Sequence, residues 1–422
     1  MISLLDKIKI PFFDYFYFFC LIIYAGSATA FARSFGAFGT IGNAFVVLLT
    51  LIFIWKRQIR INTRFLYVLS AFTLYAILTF IQNGRLSPLW LGVWWMTFLI
   101  SYALCSRFGK QIFVVYETII YHLCIVSLFF WGIYLIAPGV VESIVDIFQF
   151  STSYSPDIKT KNMIVYTLMD ADRQQLNEFV SFPRNCGFAW EPGAFASFIC
   201  FAIFCNIIRT NLTLKKNHSL FILLAALLTT SSTTGYMILI VTLILWIICN
   251  RKSFHMIYII PIAIILFQQP FVRDKMLEEY ENIEDLNLAL YDDDTMHALG
   301  RFASFQLDWE EFLQHPVLGI GGYSKGTLLM KQGYDNIATI SGIGKLLSRY
   351  GAIMAFIFVV LLVKSAKRIN KLCQTNSGWL LIGVMFGTMI SYDLWTHPAI
   401  MVFWLFGLWN IELKGLHYGQ SI

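Results

Sequence analysis

The chain has 422 residues, 58% hydrophobic and 13% charged, with a formal net charge of +6 and a mean hydropathy of +0.66. A soluble protein of this size carries roughly 25% charged and roughly 45–50% apolar residues. The composition therefore excludes an ordinary soluble enzyme, a disordered chain and a disulfide scaffold, and leaves a membrane protein of many spans.

A hydrocarbon core takes roughly 20 apolar residues of helix. Runs of that kind predict twelve spans, near 11–31, 36–55, 65–82, 88–105, 111–137, 188–208, 218–232, 233–250, 254–270, 341–363, 377–395 and 398–412. The first run ends at Ala28-Thr29-Ala30, as a signal peptide would, but it is long and contains Asp14, so it reads as an uncleaved helix. The seventh and eighth could form one hairpin around Thr230-Ser231-Ser232-Thr233-Thr234-Gly235, and the last two meet at Thr396-His397-Pro398.

With a cytoplasmic N-terminus, the inner segments hold Lys7, Lys9, Lys56, Arg57, Arg60, Arg64, Arg107, Lys110, Arg209, Lys215, Lys216, Arg251, Lys252, Lys364, Lys367, Arg368, Lys371 and Lys414. The short outer turns hold only Arg33 and Arg85. Eighteen cations against two orient the chain by the positive-inside rule, so the positive balance is mostly a topology signal and needs no nucleic acid. The eight cysteines form no framework: most fall in spans or at the inner face, and only Cys186 is placed outside. No CxxC, HExxH or Walker sequence is present, so metal and nucleotide chemistry have no motif.

Two outer segments, 138–187 and 271–340, are too long to be connectors and are where polar chemistry is expected. The first ends in Pro183-Arg184-Asn185-Cys186-Gly187-Phe188-Ala189-Trp190-Glu191-Pro192-Gly193. Pro192 suits the first turn of a helix. Glu191 then either caps that helix or, as an ionisable group at a membrane boundary, serves function. In the second segment, Thr295 after three aspartates suits an N-cap. Leu299, Phe302, Phe305, Trp309, Phe312 and Leu313 recur every three or four residues as one apolar stripe, ended by Pro316. This predicts an amphipathic helix on the membrane surface or over the bundle. Arg301 lies early in it, where a cation opposes the macrodipole and is either solvated or faces an anion. Gly319-Ile320-Gly321-Gly322 reads as a turn or, less specifically, as a set of backbone donors for an anion.

Within the predicted spans the ionisable residues are Asp14, Glu117, His122, Lys345, Arg349 and Asp393. Glu117 and His122 are expected to be partners inside the bundle. Lys345 and Arg349 lie four apart, where like charges repel unless an anion is near. Cations in a membrane-level cavity suit a lipid-linked diphosphate, and a carboxylate suits proton removal from an attacking hydroxyl.

The pattern resembles the O-antigen polymerase (Wzy-type) and O-antigen ligase superfamily. The resemblance rests on Arg184-x-x-Gly187-x-x-x-Glu191-Pro192-Gly193, the Thr230–Gly235 run, Arg301 followed by Trp309, Pro316, Gly319, Ile320 and Gly321, and Asp335-Asn336 before Leu347-x-x-Tyr350-Gly351. It implies an all-α polytopic membrane protein with a GT-C-like glycosyltransferase fold, one transmembrane domain over 1–422 and two long periplasmic loops, in the bacterial inner membrane. The substrate implied is an undecaprenyl-diphosphate-linked oligosaccharide, used without metal, nucleotide sugar or cofactor. A polysaccharide co-polymerase that sets chain length is the expected protein partner, alongside membrane lipids. Arg184, Arg301, Lys345 and Arg349 would hold the diphosphate; Asp335 or Glu191 would be the general base, with His297, four residues before Arg301 on the loop helix, as a further candidate. Ligases resembling this chain carry an arginine where Thr233 stands and a histidine where Asp335 stands. These departures favour a polymerase over a ligase. A flippase is the reading from another class, disfavoured because no internal repeat is visible and the polar groups gather outside.

Overall fold

The computed structural model describes residues 10–27, 36–84, 87–148, 160–169, 173–177, 180–251, 297–322, 327–334 and 337–409. They are mostly helical: α1 (Phe12–Gly26), α2 (Gly36–Lys56), α3 (Thr63–Asn83), α4 (Pro88–Phe108), α5 (Ile112–Ile136), α6 (Pro138–Ile147), α7 (Pro192–Thr210), α8 (His218–Thr229), α9 (Thr233–Cys249), α10 (Arg301–Gln314), α11 (Leu328–Lys331), α12 (Gly342–Cys373), α13 (Leu380–Ser391) and α14 (Pro398–Trp404). Short antiparallel pairs β1 (Thr160–Asn162) with β2 (Thr167–Met169) and β3 (Arg173–Asn177) with β4 (Val180–Pro183) lie in the first long loop. A two-residue parallel bridge joins β5 (His297–Ala298) to β6 (Ile337–Ala338) in the second.

A helix apolar all round is either in a core or in lipid, and burial separates the two cases. In α7, 94% of the most apolar window is buried, against 28% in α3. Small residues explain how neighbours reach α7 so closely: a Cβ on Gly235 of α9 would overlap that of Ala196. The helix α7 is thus the hub of the bundle, and α3 is a wall whose apolar side chains face outward.

Among the described residues, four stretches are long and apolar enough to cross a membrane: Thr63–Asn83, Pro88–Ile136, Pro192–Thr210 and Gly342–Cys373. The second contains both α4 and α5, separated at Gly109, whose φ of +48° breaks the helix. Several predicted spans are shorter helices. At 1.5 Å per residue, the 12 residues of α13 and the seven of α14 each fall short of a core about 30 Å thick. The predicted span 254–270 lies outside the described residues.

Buried charges tie one end of the bundle. Asp14 has no exposed surface, and its two oxygens meet Arg57, in the turn after α2, and Arg107 of α4, each at 2.6 Å. Glu117 does not pair with His122. It receives both Nε and a terminal nitrogen of Arg209, at 2.9 and 2.8 Å, together with Asn206 and Ser219. His122 instead bonds the Tyr15 hydroxyl at 2.8 Å. The i,i+5 spacing of Glu117 and His122 turns them to different neighbours. Removing one member of a buried ion pair strands the other. Asp14→Asn is therefore expected to lower stability by about 3 kcal/mol, measured as thermal unfolding in detergent. An unchanged midpoint would mean that the two arginines hold nothing together.

The amphipathic helix exists, but its faces are reversed relative to a soluble helix. It starts at Arg301 after Gly300, not at Thr295. Phe302, Trp309 and Leu313 are about half exposed, while Ser304, Asp308 and Glu311 are buried against the protein. Its apolar stripe faces outward, as suits a helix seated in a membrane surface.

Candidate functional site

A polar tripeptide at the end of α13, Ser391-Tyr392-Asp393, gathers side chains from four separate parts of the chain. Ser391 Oγ accepts from Arg301 Nε at 2.6 Å and bonds Thr234 Oγ1 of α9 at 2.8 Å. The Tyr392 hydroxyl lies beside Glu191 and Arg301 and interacts with both. Asp393 interacts electrostatically with Lys345 of α12. The hydroxyl of Tyr392 occupies the space where a Cβ on Gly193 would go. That glycine, the second residue of α7, lets the ring reach the first turn of the central helix.

Glu191 is the residue before α7, but it does not cap it. Its backbone is extended and its side chain makes no cap bond, so the carboxylate is turned to Tyr392 instead. The preceding loop is held by Asn185, whose amide groups bond Thr229 and Ser127 and whose Oδ1 accepts from the Gly187 N–H. Arg184 Nε donates to the Thr230 carbonyl at 3.1 Å, and Ser232 caps α9 by accepting from the Gly235 N–H. The Arg184–Gly193 and Thr230–Gly235 motifs therefore meet at one place. Arg184 has a structural partner there.

Lys345 and Arg349 stand on one face of α12, beside two acids: Asp393, whose charge acts on Lys345 most, and Asp308 on α10, which faces both. Oδ1 of Asp308 accepts from Thr339 and Ser348, at 3.2 and 3.3 Å. Its other oxygen has no hydrogen-bond partner among the described residues. Burial pushes the Asp308 carboxyl up to about 7, against the opposing pull of Lys345, Arg349 and the two hydroxyls. A raised carboxyl pKa means that the folded state favours the neutral form. The stability this group gives is complete below its unfolded value near 4 and is lost as pH rises to about 7. Asp308→Asn, neutral at every pH, is expected to be matched by the parent at pH 4 and to outlast it in thermal unfolding at pH 8. A gap that is flat with pH would sink this reading.

Gly319-Ile320-Gly321 is a clamp and not an anion cradle. Its N–H groups go to His315, Ser348 and Arg349 carbonyls at 2.8–3.0 Å. It docks on a break in α12, where Gly351 has φ +69° and ψ 178°, and Ala352 N–H bonds the Pro316 carbonyl at 2.8 Å. The Tyr75 hydroxyl closes the joint by donating to the Leu318 and Tyr350 carbonyls. Beneath it, Tyr350 packs edge-on to Trp94 and Trp395. The clamp fixes where Arg349 and Lys345 stand.

Of the expected site residues, Glu191, Arg301 and Lys345 converge around residues 391–393, Arg349 stands beside Lys345, and Arg184 meets the turn at Thr230. Asp335 lies outside the described residues. His297 is not on the loop helix: it is in β5, paired with Ile337, because Gly300 starts the helix after it. Sequence reasoning missed Ser391, Tyr392 and Asp308. The signal for the first two was a polar triplet closing an apolar run; for Asp308, it was an acid on the polar face of the loop helix one turn from Ser304. A cavity of about 650 Å³ lined by Lys110, Arg209 and Asn370 lies at the opposite end of the bundle, far from this polar convergence.

The fold and site define a class: a polytopic membrane protein that holds cations and carboxylates together at one end of its bundle, beneath a loop helix. Residues 218–346 match the family model described as O-Antigen ligase, which spans the α9 turn, Arg301, Asp308 and Lys345. The match supports the O-antigen polymerase and ligase superfamily, and with it a glycosyl-transfer type of enzyme. No curated protein matches the chain.

Proposed function

We propose that the chain is a polysaccharide polymerase of O-antigen type, joining undecaprenyl-diphosphate-linked repeat units on the periplasmic face of a bacterial inner membrane. The observation that carries this reading is Arg301 and Glu191 sharing Tyr392, a cation and a carboxylate held side by side where α7, α10 and α13 meet. The acceptor hydroxyl attacks the anomeric carbon of the growing chain, and the bond to the carrier diphosphate breaks with its electron pair. Arg301, with Lys345 and Arg349, stabilises the departing diphosphate. Glu191 takes the hydroxyl proton, oriented by Tyr392; Asp335 is the other candidate for that role. Arg184 holds the Thr230 turn against the site and adds positive charge beside the diphosphate. None of these steps calls on a cofactor. A polysaccharide co-polymerase is the proposed protein partner.

Glu191→Gln is expected to lower polymer formation by about 100-fold, as for loss of a general base. Tyr392→Phe should cost about tenfold, since it removes orientation only. Equal effects of the two would assign Glu191 to positioning.

The ligase reading is favoured by the description of the family that 218–346 matches. It uses the same donor and leaving group but passes the finished glycan to a lipid A core. A deletion strain separates the two. Core lipid carrying one repeat without a ladder is the expected result. Bare core, with long polymer stranded on its carrier, would overturn the polymerase and make the chain a ligase.

A further inference from the structure

We propose that the end of the bundle opposite the site carries a binding groove for an anionic phospholipid, seated between α3 and α12. The groove has a volume of about 610 Å³ and is lined by five cations, Arg64, Lys364, Lys367, Arg368 and Lys371. Its floor is Gly407-Leu408, and Gly407 lies so close to the α12 backbone at Lys364 and Ser365 that no Cβ fits. The positive-inside rule accounts for cations at this end of the chain. It does not require that two helices far apart in sequence turn five of them onto one cleft.

The occupant follows from what adjoins the cleft. Helices α3 and α12 are held together near the site by Tyr75 and Tyr350, and their opposite ends flank the groove. Along α12, Ile353, Phe356, Ile357 and Val360 are exposed, and the same helical face continues into Lys364, Lys367 and Lys371 at intervals of three or four residues. Along α3, exposed Tyr67, Leu74, Leu78 and Ile81 repeat the pattern above Arg64. Two apolar rails therefore lead from the hydrocarbon level to a basic pocket at the interface. A soluble anion has no use for the rails, and a neutral lipid has none for the cations. A phosphate-bearing headgroup with two acyl chains uses both. Basic pockets between spanning helices bind anionic headgroups in this way, each cation near the surface adding roughly a fivefold gain.

The test uses the full chain purified in detergent, with binding of cardiolipin, phosphatidylglycerol or phosphatidylcholine followed by native mass spectrometry and by the rise in unfolding temperature. The comparison is K364Q/K371Q against K215Q/K216Q, which removes two exposed lysines at the same end but outside the groove. The expected result is selective retention of the two anionic lipids. It should weaken by about tenfold or more in K364Q/K371Q and hold in K215Q/K216Q, with both variants unfolding like the parent when no lipid is added. Equal weakening in both variants would mean general charge attraction and would overturn the groove. Displacement of the lipid by millimolar inorganic phosphate would also overturn it, in favour of a site for free anions. A K364Q/K371Q protein that unfolds early without lipid would be replaced by K367Q, whose side chain is exposed, and the same comparison made.

Discussion

Arg301→Ala is expected to abolish glycan transfer while leaving the protein folded and in the membrane. Arg301 is the first residue of α10, where its charge opposes the helix dipole. A cation in that position is disfavoured by its own helix and must be held by something else. It is held by Ser391 at 2.6 Å and lies beside Tyr392, which also adjoins Glu191. A guanidinium kept in place by a hydroxyl, beside a carboxylate, is pre-oriented toward an incoming anion without reorganisation. Loss of one such donor typically costs about 100- to 1,000-fold in rate. Arg301→Lys keeps the charge but not the planar fork, and should restore only part of the activity. Complementation of a deletion strain, read as the glycan ladder on a gel with protein level followed by immunoblot, decides the matter. A normal ladder from Arg301→Ala would remove Arg301 from the reaction. A missing protein band would show that the arginine holds the fold.

The second large effect is expected at Gly351. Its φ of +69° with ψ of 178° lies in a region open essentially to glycine alone. A Cβ there would run into the Val317 carbonyl and the Gly319 nitrogen. Gly351→Ala therefore combines backbone strain with a backbone clash, and should cost roughly 3 kcal/mol or more. The clamp at 316–321 would lift off α12, and Arg349 and Lys345 would shift with it, so activity should fall even in protein that still folds. Gly84 is the control. It has φ +70° but nothing within 4 Å of a built Cβ, so Gly84→Ala should cost only about 1 kcal/mol. Detergent-solubilised unfolding temperatures of the two variants test the difference. Similar losses would mean that the break in α12 is not held by the clamp.

How much of this site was legible beforehand varies with the physics behind each residue. Glu191 was visible as an acid before a proline, but the same pattern fits a helix cap. Only its extended backbone and the direction of its carboxylate distinguish the two. Lys345 and Arg349 were visible because like charges four apart on a helix need an anion, yet the acids beside them come from elsewhere in the chain: Asp308 lies 37 positions before Lys345 and Asp393 48 positions after it. Tyr392 was legible only as part of a polar triplet closing an apolar run. A tyrosine after an apolar run is common at membrane interfaces, and its role comes from reaching Gly193 of α7. The amphipathic helix was legible in its stripe, but not in its direction. In a chain surrounded by lipid, the apolar face can turn outward and the polar face inward, the reverse of a soluble core.

The sequence by itself determined that this is a membrane protein and that cations cluster between its predicted spans. Those properties follow from composition and local order, which lipid and water read directly along the chain. Tertiary structure alone decided which residues share a site. Ser391, Tyr392 and Asp393 join Arg301, Glu191, Thr234 and Lys345 across as many as 200 positions. Such contacts are set by how the helices pack around α7, and no spacing along the chain encodes them.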